Sequence, residues 1–358
     1  MSEKLEELWP ALQQAGLVKG NAPAPGKLES PWYVKAILAF SGWLAALLTL
    51  IFIGIACQFI IESSFASMIT GSLLIAGAHA IFRTAKNEFF NHLALAISFT
   101  GQVLIAVAVF DGEVYRELMP WVGILLLQLV LAVVMPNFIH RVCSAYFSVF
   151  VLSIVLALMH IPYLHSAIVM LLAISLWLNE FKFPVHIQKI RACGYGVVLA
   201  LVQLKGSALF APGGVIGWGI LYKQPEIWGA PWLGEVFAGL VMLYLTWQFL
   251  QRSTGGYHKY FPLAVLAGTL VLCLVSIKAQ GIVVGVLILV LGFNGSNRIL
   301  MGLGGVSLLF YISSYYYLLE TTLLVKAQIL FITGVLLLGL RWVLLYVFPV
   351  GKEVQDVS

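Results

Sequence analysis

The chain has 358 residues, of which 61% are hydrophobic and 10% are charged, and its mean hydropathy is +0.99. Soluble globular domains have roughly a quarter of their residues charged, so this composition excludes a soluble domain and predicts a polytopic membrane protein. The formal charge of +5 does not indicate nucleic-acid binding, because the basic residues are spread singly through short loops and form no basic stripe.

Residues 1–33 form the only sizeable polar segment. Apolar side chains recur there at helical spacing, interrupted by Pro10, which predicts one kinked amphipathic helix or two short ones. Glu3, Glu6 and Glu7 of this helical part would be repelled by an anionic bilayer surface, so we expect the segment to dock on this protein or on a partner. The first apolar span begins near Val34 and lacks a small-residue cleavage site, so it is expected to remain as an uncleaved anchor.

Twelve apolar stretches follow, and charged, proline, glycine or aromatic residues mark their ends. Their approximate limits are 34–61, 65–82, 89–110, 118–135, 142–159, 166–181, 192–210, 233–250, 261–277, 281–293, 299–314 and 323–345. Several are shorter than the roughly 20 residues that cross a bilayer core, so they need flanking residues or a thinner bilayer. If the 281–293 stretch did not span, every later segment would change sides. Glycines in the last stretches predict close helix packing, namely Gly281, Gly285, Gly302, Gly304 and Gly305.

Lysine and arginine fall mainly on alternate loops. With the N-terminus inside, fifteen of the twenty lie at the cytoplasmic side and five lie outside, namely Arg116, Lys205, Lys223, Lys278 and Lys326. This positive-inside distribution predicts that both termini are cytoplasmic. The predicted fold is therefore an all-α, polytopic transmembrane helical bundle. It consists of a cytoplasmic amphipathic segment and linker (1–33), a transmembrane domain (34–346) and a cytoplasmic tail (347–358).

The longest outer connection, residues 211–232, is rich in glycine and proline and holds three tryptophans and one tyrosine. Amphipathic aromatic rings concentrate at the membrane–water interface, so one interpretation is an interfacial belt. The other is a lid or partner surface over an outward-facing cavity, because loops often carry function.

A polar stretch near the last span, together with two charges on other spans, forms the candidate polar or partner site. It consists of Tyr315, Tyr316, Tyr317, Glu320, Thr321, Thr322, Lys326, Glu235 and Lys205. Lys326 lies about 6 to 8 Å deeper along the helix than Thr321, where an ammonium group must find a partner or snorkel to the interface. We predict pairing with Glu235, Glu320 or the tyrosine hydroxyls, and snorkelling is the alternative.

No motif indicates catalysis, a cofactor or a metal. Few ionisable groups fall near the middle of any span, and Glu180, Lys205 and Glu235 lie near span ends, which disfavours a proton relay. The four cysteines lie in or at the ends of apolar spans, so neither a disulfide nor a zinc site is predicted. The turn that holds His160 and His165 lacks a third metal ligand. We therefore expect no cofactor, and an enzyme is less favoured than a non-enzymatic protein.

Two segments carry a family resemblance. The first is Ser-Pro-Trp-Tyr at 30–33 with Gly-Trp-Leu-Ala-Ala at 42–46, and the second is the tyrosine triplet, Thr-Leu-Leu and lysine within 315–326. Together they resemble a family of multi-pass bacterial inner-membrane proteins that carry a domain of unknown function. In many relatives a serine follows the lysine, where this chain has Ala327. Members are often encoded beside a small membrane-anchored protein of the GDYXXLXY type, so the resemblance implies such a partner; it implies no activity.

Three classes of function remain. The first is a non-enzymatic envelope component that binds a membrane-anchored partner at its outer face, through residues 218–232 and 315–322. The second is a permease or channel for a small solute, with an outward vestibule floored by Lys326 and bordered by Glu235 and Lys205. The third is a membrane enzyme acting on a lipid-linked substrate. This class is the least favoured, because the sequence shows neither paired carboxylates nor a nucleophile with its base at reactive spacing.

Overall fold

The computed structural model describes most of the membrane domain. The described residues are 58–84, 88–111, 117–210, 231–252, 261–318 and 322–328, with scattered positions between 13 and 55 and between 331 and 342. Every regular element within these residues is helical. The predictions for residues 1–33, for the 211–232 loop and for the cytoplasmic tail therefore fall largely or wholly outside the described residues.

The helices follow one another along the chain with short connections. They are α1 (Gln58–Ile61), α2 (Ser64–Thr84), α3 (Glu88–Val109), α4 (Leu118–Val134), α5 (Phe138–Leu158), α6 (His165–Leu178), α7 (Ile187–Phe210), α8 (Pro231–Arg252), α9 (Phe261–Lys278), α10 (Ile282–Asn294) and α11 (Arg298–Leu318). Single 3₁₀ turns at Pro162–Leu164, Glu180–Lys182 and Pro184–His186 flank α6. Proline at the start of two of these turns fixes φ where the chain must change direction.

Among the residues that the structure describes, seven helices are long and apolar enough to cross a membrane, so the chain is a multi-pass membrane protein. They are Ser64–Thr84, Glu88–Val109, Phe138–Leu158, Pro184–Ser207, Trp232–Arg252, Phe261–Lys278 and Arg298–Leu318. Leu118–Val134, Pro162–Leu178 and Ile282–Asn294 are apolar but shorter. The 13 residues of α10 extend only about 20 Å, against a hydrocarbon core of about 30 Å. The helices α2 to α11 coincide with the second to eleventh predicted stretches to within a few residues.

The chain divides into two compact units, Met1–Val114 with Met135–Asn137 and Tyr115–Val134 with Phe138–Ser358. In the first unit, α2 and α3 pack along their length. A Cβ atom on Gly71 would lie 2.6 Å from the carbonyl oxygen of Gly101, so the two backbones approach closely because both residues lack side chains. Ser67 also donates a 2.7 Å hydrogen bond to the carbonyl oxygen of Ile60, which ties α2 to α1.

The core of the second unit is an apolar cluster to which α5 to α11 all contribute. Its fully buried members include Val169, Met170, Leu201, Leu245, Val283 and Leu287. The helices α10 and α11 pack as an antiparallel pair through their glycines: a Cβ on Gly285 would lie 2.7 Å from Leu308, and one on Gly304 would lie 2.6 Å from Leu289. The packing prediction is confirmed at Gly285 and Gly304. It is wrong at Gly302 and Gly305 within the described part of the chain, where a Cβ would meet nothing within 4 Å.

Candidate functional site

A buried ion pair joins α7 and α8. Lys205 lies five residues before the end of α7, and Glu235 is the fifth residue of α8. Lys205 Nζ lies 2.5 Å from Glu235 Oε1, and the two side chains are 8% and 1% exposed. An isolated charge has a high desolvation cost away from water, so each of these two groups stabilises the charged form of the other in this buried position.

Two further helices contribute hydroxyl groups at the same place. Ser276, near the end of α9, is fully buried and donates a 3.0 Å hydrogen bond to Glu235 Oε2. Tyr311 of α11 is also fully buried; its hydroxyl donates to the carbonyl oxygen of Val202 at 3.0 Å and lies close enough to Glu235 to interact with its charge. Both carboxylate oxygens of Glu235 are therefore occupied, and α7, α8, α9 and α11 meet at this point.

The short connection between α9 and α10 helps to position Tyr311. Gly281 has a φ of 90°, a conformation that side-chain-bearing residues rarely adopt. A Cβ on Gly281 would also lie 2.7 Å from the Tyr311 ring. Glycine is required here for both reasons, because the backbone turns in the left-handed region directly against the aromatic ring.

His165, the first residue of α6, brings a fifth helix to this group. Its Nδ1 lies 3.1 Å from the carbonyl oxygen of Pro162. A carbonyl oxygen only accepts hydrogen bonds, so Nδ1 carries the proton and Nε2 of the neutral ring is a bare acceptor. Nε2 is buried with no hydrogen-bond partner among the described residues, and the charge of Lys205 acts on the ring.

We call Lys205, Glu235, Ser276, Tyr311 and His165 the outer polar cluster, because they lie at the helix ends that the charge distribution predicts to be outside. The sequence analysis named Lys205 and Glu235 as candidates but did not predict their contact. His165 was considered there only as a metal ligand, a role that was rejected because a third ligand is lacking. Ser276 and Tyr311 were not predicted. Their contacts join residues 30 to 109 positions apart, which helical periodicity does not reveal.

The candidate residues near the last span form a separate group. Lys326 Nζ donates a 3.3 Å hydrogen bond to the carbonyl oxygen of Tyr317 and lies 5.4 Å from the centre of the Tyr316 ring. Thr322 precedes the short helical segment, and its Oγ1 accepts from the backbone N–H of Val325 at 3.5 Å, in the manner of an N-cap. Lys326 therefore folds back onto the end of α11.

The partners predicted for Lys326 are found only in part. Glu235 is not its partner: among the described residues, the Glu235 carboxylate bonds to Lys205 and Ser276, and Lys326 contacts Tyr316 and Tyr317 instead. The tyrosines do contact Lys326, but through a backbone carbonyl and a ring face rather than through hydroxyl groups. Tyr315 lies one residue further from this contact on α11, and Glu320 and Thr321 lie outside the described residues.

A second polar group at the opposite helix ends was missed by the sequence analysis. Arg191 of α7 makes an ion pair of 3.3 Å with Glu180, which is fully buried. Asn297 accepts the backbone N–H of Leu300 and so caps α11, while its amide nitrogen donates to the hydroxyl of Tyr195 at 2.8 Å. The signal for the cap was present in the sequence, since asparagine directly before an apolar run is a preferred N-cap.

Comparison with known proteins identifies a family for nearly the whole chain. The family model described as "Domain of unknown function (DUF4401)" matches residues 31–347. Neither the curated proteins nor the solved structures gave a match. The match confirms the resemblance to a family that carries a domain of unknown function, and the chain belongs to the DUF4401 family.

Proposed function

We propose that this protein is a non-enzymatic, multi-pass component of the bacterial inner membrane that binds a membrane-anchored partner at its outer face. The single observation that carries the proposal is that the two charged groups of the outer polar cluster, Lys205 and Glu235, are paired with each other. Lys205 neutralises Glu235, and Ser276 occupies the second carboxylate oxygen. Such an arrangement holds helices together and leaves no free carboxylate for acid–base catalysis or for a proton relay.

The topology in this proposal has twelve spans and two cytoplasmic termini. Its support is the convergence of alternating helix ends on the outer polar cluster. The beginnings of α6 and α8 meet the last turns of α7 and α9 there, through His165, Glu235, Lys205 and Ser276. Helices that cross a bilayer in alternate directions bring their ends together in this way.

The partner surface in this proposal is the tyrosine patch, formed by Tyr316, Tyr317, Leu323, Leu324 and Lys326. Tyr317, Leu323 and Leu324 are 79%, 80% and 70% exposed, and Lys326 connects the two segments that carry them. Exposed tyrosine side chains are enriched at protein interfaces. The resemblance to the family implies the partner, a membrane-anchored protein of the GDYXXLXY type.

The test is co-purification of the tagged chain with a co-expressed GDYXXLXY-type protein from detergent-solubilised membranes. We expect Tyr317→Ala to reduce co-purification about tenfold or more, as truncation of an aromatic hot spot of about 1.4 kcal/mol or more does. Leu309→Ala is the matched control, because Leu309 is a 68% exposed residue of the same helix. Equal recovery with both variants would contradict the assignment of the surface.

A permease for a small solute is the second candidate, and one observation favours it. The bare Nε2 of His165 near Lys205 is an unsatisfied polar atom among membrane helices, where ionisable groups often mark pathways. The test is solute-dependent or proton-dependent flux in proteoliposomes. If Glu235→Gln abolished this flux while co-purification of the partner stayed intact, the permease would be favoured over the non-enzymatic component.

A further inference from the structure

A groove between α8, α9 and α10 is separate from the outer polar cluster and from the tyrosine patch. It has a volume of about 500 Å³ and is lined mainly by hydrocarbon, including Leu245, Phe249, Val265, Leu272 and Val286. The groove is open along one side. In a bilayer, an open apolar groove between spanning helices is filled by apolar material.

The groove arises because α9 packs loosely and lacks a side chain at one point. Of the residues of α9, all of which the structure describes, only Cys273 and Ser276 are buried. Gly268 lies on the wall of the groove, and a Cβ placed there would meet no described residue within 4 Å. A larger side chain at this position would therefore occupy part of the groove.

The polar atoms of the groove are already bonded. Thr246 donates to the carbonyl oxygen of Met242 at 3.0 Å, Thr269 donates to that of Val265 at 2.9 Å, and the two hydroxyls lie 3.4 Å apart. Each hydroxyl proton is donated to the preceding helical turn, so neither threonine has a proton left to donate to a polar ligand. The lining therefore selects a hydrocarbon chain.

A basic residue stands at one end of the groove. Leu245, Phe249 and Arg252 follow at i, i+4 and i+7 on α8, so they share one face of the helix. Arg252 is exposed and forms no ion pair with any residue in the described part of the chain. Basic groups beside crevices between membrane helices bind anionic lipid head groups.

We propose that this groove binds an acyl chain of an anionic phospholipid whose phosphate contacts Arg252. The volume falls within the roughly 300 to 1,000 Å³ typical of small-molecule sites. The lipid bridges α8 and α9 where their own packing is incomplete.

The test uses the full chain in phosphatidylcholine vesicles with a phosphatidylglycerol probe that carries a photoreactive diazirine at the end of one acyl chain. After illumination and digestion, we expect label on residues 242–252 and 261–272. Gly268→Leu should lower this label about tenfold, the factor that corresponds to about 1.4 kcal/mol. Gly302→Leu is the matched control, because Gly302 is an exposed helical glycine with open space at its Cβ position, and it should label like the parent.

A second variant fills the groove from the opposite wall, so that the conclusion does not depend on the folding of a single variant. Val290→Phe on α10 should lower labelling as Gly268→Leu does, with thermal unfolding in detergent confirming that each variant is folded. Undiminished labelling in a folded filling variant would overturn the proposal. A disulfide-linked dimer formed through Gly268→Cys, in a background without other cysteines, would identify a second copy of the chain as the occupant and would also overturn it.

The head-group contact is tested with a phosphatidylcholine probe of the same acyl chain. The parent should take more label from phosphatidylglycerol than from phosphatidylcholine, and Arg252→Gln should remove most of this preference. Arg298→Gln is the control, since Arg298 is an exposed arginine at the start of α11 and does not line the groove. Equal labelling by both probes in the parent would overturn the assignment of an anionic lipid.

Discussion

Removal of one partner from the Lys205–Glu235 pair should destabilise the protein severely. Lys205→Met leaves the Glu235 carboxylate 1% exposed and bonded only to Ser276. Stranding one charge of a buried pair costs about 3 to 5 kcal/mol. At about 2 °C per kcal/mol, the lower end for large domains, the melting temperature should fall by at least about 6 °C. The assay is thermal unfolding of the detergent-solubilised variant.

The double variant Lys205→Met with Glu235→Gln should recover most of this loss, because it removes both charges and keeps an acceptor for Ser276. Lys278→Met is the control, because Lys278 is an exposed lysine at the end of α9 that also holds Ser276. This substitution should lower the free energy of unfolding by less than about 1 kcal/mol. The reasoning is refuted if Lys205→Met unfolds at the temperature of this control, or if the double variant is no more stable than either single variant.

Three further predictions follow from the other features. Single cysteines would be placed at Ser2, Gln224 and Gln355 in a cysteine-free background. An impermeant thiol reagent should label only the loop position in intact cells, and labelling at either terminus would reverse the topology. Lys326→Met should cost less than about 1 kcal/mol in thermal unfolding, because Lys326 contacts a carbonyl and a ring face near the surface; a larger loss would mean a buried anionic partner. Gly281→Ala should cost about 2 kcal/mol or more, since it adds strain and a clash with Tyr311, whereas Gly295→Ala, with ordinary space, should cost less.

The sequence predicted the helices well because the membrane imposes a simple rule on them. Apolar runs and the charges at their ends determine where a segment enters and leaves the bilayer. The bounds of α2 to α11 therefore agree with the predicted stretches. The largest difference is at the start of α7, which begins at Ile187, five residues before the predicted limit of 192. Another difference is at α6, predicted to extend to residue 181. It ends at Leu178 and two 3₁₀ turns follow, where Pro184 interrupts the helical pattern.

The candidate site was predicted less well, because its contacts are tertiary. Lys205 and Glu235 were expected to lie near span ends, and they do. Neighbouring helices bury both side chains almost fully, so each charge needs the other as its partner. Nothing in the spacing of the sequence connects Glu235 to Ser276, or Tyr311 to the carbonyl of Val202. The groove at Gly268 was equally hidden, since one exposed glycine in an apolar helix carries no pattern.

The central claim is that the tyrosine patch binds a membrane-anchored protein, and site-specific photocrosslinking at Tyr317 tests it most directly. A photoreactive phenylalanine analogue would replace Tyr317 in living cells, with the same analogue at Leu309 as the control on the lipid-exposed part of α11. The account predicts a crosslinked product at position 317 that contains the co-expressed GDYXXLXY-type protein, and none at position 309. Crosslinks to lipid alone at both positions would contradict it.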